Sequence, residues 1–170
     1  MEKIVIVLAM HGGPPNDFPK REMAEFFGLR AQLQKTDGVG TESLKQRHAE
    51  LDSKIRKWPR TVSNDPFQVG SQQLAGHLNR LTGYEVVVGY DEFCAPSLDD
   101  ALDQAIAQSP EKVIVVTPMM TPGGKHSEVD IPEAIQRAKG RHPGIPIHYV
   151  WPFNLSEVAT FLSTQVNRFI

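Results

Sequence analysis

At 170 residues the chain has room for one domain with a substantial core, and too little for two ordinary ones. With 40% hydrophobic and 22% charged residues and a formal net charge of -2, it is globular in composition and lacks the basic excess of a nucleic-acid binder. A single cysteine, Cys94, excludes an intrachain disulfide, and neither a signal-like start nor a membrane-length apolar run is present; the expectation is a cytoplasmic protein with no membrane partner.

Ile4 to Met10 is a continuous, largely β-branched apolar run, the pattern of a strand buried on both faces, and it ends at the breaker cluster His11-Gly12-Gly13-Pro14-Pro15. Between Gly12 and Asn64 lies a stretch far longer than an ordinary strand-to-helix loop. Met23, Phe26, Phe27, Arg30 and Leu33 mark one amphipathic helix there, and Leu44, His48, Leu51, Ile55 and Trp58 a second, with the turn expected over 36–40. The stretch at about 17–62 therefore reads as a helical hairpin inserted after the first strand of a single domain, 1–170. Asp65-Pro66 then offers a helix start, with Phe67, Leu74, Leu78 and Leu81 as its expected apolar face and Gly83 as its stop.

Further strands are expected at 84–90, 112–117 and 145–151. Ser97 with Asp100 opens the helix between the second and third. Asp130, with Glu133 three residues on, has capping-box spacing for the next helix, and Asn154 opens the last, striped by Leu155, Val158, Leu162, Val166 and Phe169. This alternation predicts an α/β fold: a four-stranded parallel sheet flanked by helices and joined by right-handed crossovers.

Ligands of open parallel sheets bind beyond the carboxyl ends of the strands. The residues delivered there are His11, then Asp91 and Glu92, then the Gly123-Gly124-Lys125-His126 loop, then Trp151-Pro152-Phe153. Two imidazoles and a carboxylate suit a borderline divalent metal, and a donor set without sulfur releases such an ion more readily. His48 reads as a packing histidine. The glycine pair lacks the lysine-serine/threonine ending of a nucleotide loop, which argues against phosphoryl transfer.

Three motifs resemble the class II chelatases, and most closely the CbiX-type sirohydrochlorin chelatases. They are Ile4 to Gly12, ending in His-Gly; Gly89 to Leu98, with Glu92 ahead of Pro96-Ser97-Leu98; and Val115 to Pro132, with His126 four residues before Asp130-Ile131-Pro132. The resemblance covers about residues 1–15 and 65–153; the inserted hairpin lies outside it. It implies ATP-independent insertion of Co²⁺, Ni²⁺ or Fe²⁺ into a tetrapyrrole such as sirohydrochlorin, on the way to cobalamin- or siroheme-type cofactors. It implies that His11 and His126, with Glu92 beside them, bind the metal and accept pyrrole protons. Gly12, Met119, Gly123, Gly124, Lys125 and Trp151 would meet the macrocycle. The divalent metal is then a substrate, no cofactor is permanently bound, and a homodimer is the expected way to close the cleft. A non-catalytic carrier of metal or tetrapyrrole on the same fold is the competing reading.

Overall fold

β1 (Ile4–Met10) is buried at every position. It earns that burial by lying second in a four-stranded, all-parallel sheet of order β2-β1-β3-β4. β2 is Glu85–Tyr90, β3 Lys112–Val116 and β4 Ile147–Tyr149. Register places Val7 between Val87 and Val115, so the β-branched runs seen in the sequence stack side by side. The last strand is shorter than the expected 145–151, only three residues. The computed structural model describes residues 2–36 and 41–170; most of the turn expected over 36–40 lies outside the described residues.

The helices are α1 (Lys20–Lys35), α2 (Glu42–Arg56), α3 (Pro66–Thr82), α4 (Leu98–Ala107), α5 (Ile131–Arg141) and α6 (Leu155–Val166). Chain order explains their placement. The step from β1 to β2 runs one way across the sheet and the later steps run the other. Right-handed crossovers therefore put α3 on one face and α4 and α5 on the opposite one. α4 and α5 bury Leu98, Ala101, Leu102, Ile131 and Ile135 against Val5, Val7, Val113 and Val115. On the other face Ala75 of α3 meets Leu8, Met10, Val88 and Tyr90.

Two helix starts follow their local signals. The Asp65 carboxylate accepts from the Gln68 N–H at 2.9 Å, and Ser97 with Asp100 forms a reciprocal capping box. The apolar face expected of α3 is rotated. Ser71 and Ala75 are its buried residues, whereas Phe67, Leu74 and Leu81 are exposed. Small side chains let the helix approach β2 closely, and that packing overrides the larger residues' preference. α6 departs further, since none of its residues is buried.

α1 and α2 tie to each other through Arg47–Glu25 and Lys54–Glu22 ion pairs. Phe26, Leu51 and Ile55 bury themselves together with Phe18 and Phe93, the latter just beyond β2. Two arginines following this cluster reach the strand-end loops. Arg56 donates to the carbonyls of Cys94 and Asp91 at 2.8 and 2.9 Å. Arg60 donates to those of Gly13 and Phe93 and pairs with Asp65. With side chains only 8% and 3% exposed, Arg60 and Asp65 form a desolvated pair. Removing either partner of such a pair strands a buried charge. The helices between β1 and α3 thus brace the carboxyl edge of the sheet.

Candidate metal centre

Backbone pairing continues past the ends of β1 and β2: the Asp91 N–H donates to Met10 O and the Glu92 N–H to His11 O, both at 2.9 Å. His11 and Glu92 are therefore carried side by side. Gly12 makes the close approach possible. It sits at φ +91°, and a Cβ there would fall 1.9 Å from the Glu92 carbonyl oxygen. Gly12 is buried, and its evident task is to let the two loops touch.

His126 arrives from the far side of β1, after β3, where the strand order switches direction. It opens a π-helical turn, His126–Asp130, that runs directly into α5. Here the expected cap is corrected. Asp130 has helical dihedrals and makes no side-chain capping bond. Its carboxylate instead reaches Lys125 Nζ at 2.6 Å and His126 Nδ1 at 2.8 Å. The wider turn places residues i and i+4 so that the acid faces the imidazole, an arrangement found disproportionately at functional sites. The turn is braced by Tyr149, whose hydroxyl donates to Ser127 O at 2.9 Å, and by the Gly123 N–H, which donates to Glu128 Oε1 at 2.8 Å.

His11, Glu92 and His126 each offer a ligand atom within 4.8 Å of the others. The two rings stand edge to face, with centroids 4.3 Å apart. His11 Nδ1 lies against Gly12 O. A carbonyl only accepts, so Nδ1 carries the proton and Nε2 keeps its lone pair. His126 Nδ1 faces two carboxylates, Asp130 at 2.8 Å and Asp91 at 3.6 Å. Neither lies on the line of a well-directed hydrogen bond, for Nδ1 and Asp91 Oδ2 are both buried without one. The pair of acids still favours a proton on Nδ1 and a free Nε2, as in carboxylate–histidine–metal arrangements.

In the sequence Asp91 stands with Glu92 past the end of β2, without a role of its own. Its side chain is 5% exposed. Burial, reinforced by the charges of Asp130 and Glu92, pushes its carboxyl up to about 7, against the pull of Lys125 and Arg56. Position past a buried strand brings Asp91 to the site from sequence; its burial comes only from the tertiary structure. A polar cavity of about 320 Å³ lies behind it, lined in part by Lys125, Asp130, Arg56 and Arg137.

The remaining expected contacts separate. Met119 is half-buried against the core cluster of the α4–α5 face. Lys125 is spent on Asp130. Gly123 and Gly124 are exposed, next to His126 in the chain. Trp151 joins an aromatic row, 6.2 Å from Tyr149 and 5.7 Å from Phe153 between ring centroids. His48 stacks on Phe26 with centroids 4.4 Å apart.

The chain is thus an open parallel α/β protein with a polar cluster beyond its strand ends. It belongs to the CbiX family, whose model matches residues 65–167. A sirohydrochlorin cobaltochelatase of Priestia megaterium is 34% identical over 68 residues, a match covering 40% of this chain and 22% of that relative. The chain thus spans under a quarter of that curated relative's length. A putative cobalamin (vitamin B12) biosynthesis CbiX protein from Marinobacter aquaeolei VT8 shares the fold, with 17% identity, 98% coverage of both chains and a TM-score of 0.54. The sirohydrochlorin chelatase SirB from Bacillus subtilis subspecies spizizenii, solved in complex with cobalt, covers 88% of this chain and 43% of its own, at 18% identity and a TM-score of 0.44.

Proposed function

We propose that this protein inserts a divalent metal, Co²⁺, Ni²⁺ or Fe²⁺, into sirohydrochlorin or a closely similar tetrapyrrole without nucleotide hydrolysis, as a cytoplasmic homodimer. The observation that carries the reading is the convergence of His11, Glu92 and His126 donor atoms within 4.8 Å from loops after three adjacent strands. Membership in the CbiX family and the cobaltochelatase relative support the substrate and the metal.

The chemistry asks three things of the protein. It must strip water from the ion, present the ion to the ring, and accept two pyrrole protons as nitrogen–metal bonds form. Two imidazoles and a carboxylate take over part of the hydration shell, and no thiolate holds the ion back. As the ion passes to the ring, each imidazole lone pair is released and can accept a pyrrole proton. The carboxylates at His126 Nδ1 stabilise the imidazolium that results. The aromatic row at Trp151 and the glycines at 123 and 124 offer a flat surface and a low rim for the macrocycle.

Segment 17–62 serves as an insertion within a single domain and braces the site loops. The second copy covers what one chain leaves open: Leu155, Phe161, Leu162 and Val166 of α6 are each about half exposed or more, and Val150, ahead of α6 in the chain, is 41% exposed. Light scattering on purified protein should give twice the chain mass, and Leu162→Glu with Val166→Glu should give a monomer; a wild-type monomer would remove the dimer from the proposal. The function itself is tested by anaerobic absorbance assay of sirohydrochlorin with each metal, with and without protein. Acceleration for at least one metal is the expected result. Tight ring binding without acceleration for any metal would mean a carrier.

A further inference from the structure

Arg30, on α1, has no part in the insertion chemistry, yet its Nη2 lies 2.5 Å from Glu92 Oε1. The pair is semi-enclosed, with side chains 35% and 21% exposed. Glu92 is the same carboxylate whose oxygen approaches the ligand nitrogens of His11 and His126. A guanidinium keeps its charge at every working pH. A permanent cation is therefore held where an incoming metal ion needs a free carboxylate.

Among the described residues, the other arginine lining the adjoining cavity is not free for that task. Arg56 is committed to Asp52 and to the Cys94 and Asp91 carbonyls. A cavity of about 230 Å³ adjoins the pair, walled by Phe26, Arg30, His48, Arg56, Glu92 and Phe93. It gives the displaced guanidinium room to withdraw without leaving the protein.

We infer that Arg30 is a built-in competitor for Glu92: it neutralises the carboxylate in the metal-free site, is displaced by the arriving metal, and so holds metal affinity low enough for the ion to be surrendered to the ring. The inference rests on the metal site of the proposed function. It makes Arg30 a positioning residue acting through Glu92, and it gives the α1–α2 segment a direct part in the metal equilibrium.

Co²⁺ titration of the full chain, followed by visible absorption at fixed pH and ionic strength, tests this without any tetrapyrrole. Arg30→Met should bind Co²⁺ roughly three- to tenfold more tightly than wild type, the range expected for removing one competing ion pair. Arg30→Lys, which keeps the charge, should recover part of the weaker binding. In a Glu92→Gln background the gain from Arg30→Met should vanish. Loss of a merely structural contact weakens binding, so the sign of the change separates the two roles. Unchanged or weaker binding by Arg30→Met, or a gain that persists with Glu92→Gln, overturns the inference. His126→Ala separates the two levels. If it loses Co²⁺ binding while Arg30→Met shows no gain, only the role of Arg30 falls. If it binds as wild type does, the metal site falls and this inference with it.

Discussion

His126→Ala is expected to lower the rate of metal insertion by about 100-fold or more, because in the proposed mechanism one side chain serves both as ligand and as proton acceptor. The fold should be spared. The ring is not part of any core cluster of buried residues, and alanine is at home in the helical turn that His126 opens. Circular dichroism and thermal melting of the variant should match wild type, while the sirohydrochlorin assay reads near background. His77→Ala is the control, since His77 is an exposed α3 residue whose ring bonds to Arg80. Full activity in His126→Ala would refute the site assignment.

Asp91→Asn carries the largest expected effect on stability, and its sign is opposite to that of most buried substitutions. The folded protein pushes the Asp91 carboxyl up to about 7 from an ordinary value of 3.8. Below about pH 4 the group is protonated in both folded and unfolded chains and costs nothing. Between about 4 and 7 the unfolded chain ionises first, so stability contributed by the protonated form drains away as pH rises. Above about 7 Asp91 is ionised in both states and the penalty is complete. Asparagine removes the charge and keeps the shape. Metal-free Asp91→Asn should therefore be more stable than wild type at pH 8 by about 2–4 kcal/mol, with the gap closing near pH 4. Urea unfolding in the presence of a chelator across that range checks it. A gap independent of pH would show that Asp91 is not held in its high-pKa state.

The two variants bear on one feature. The site keeps a buried acid, without a well-directed hydrogen bond, 3.6 Å from His126 Nδ1. Such a group is costly in the folded state, and function is the ordinary reason for retaining one. The rest of the structure offsets the cost. Arg56 fixes the Asp91 carbonyl, and Arg60 fixes those of Gly13 and Phe93. Phe93 itself sits at φ +59°, a left-handed conformation that a bulky residue holds only under constraint.

Several features were legible in the chain because their causes are local. A strand with neighbours on both sides needs apolar side chains on both faces, and Ile4 to Met10 says so directly. Ser97 with Asp100, and Asp65 with Pro66, satisfy orphan N–H groups within four residues. Strand order was not written locally, but the rule that ligands sit past parallel strand ends sufficed to group His11, Glu92 and His126. The partners of those residues were hidden, because they depend on which surfaces meet. Capping spacing at Asp130 is the same whether the acid caps a helix or turns to His126, and only the π turn decides. Asp91 and Glu92 are chemically alike and adjacent. The strand end turns one into the interior and the other toward the ligand nitrogens. Leu74 and Leu81 promised the buried face of α3, and close packing against β2 chose Ser71 and Ala75 instead. Arg30 and Glu92 stand 62 residues apart, and no periodicity links them. Local chemistry along the chain was enough to say which elements form and which donors reach the carboxyl edge. Tertiary structure alone decided which charges face those donors, because electrostatic neighbours are set by packing across the chain.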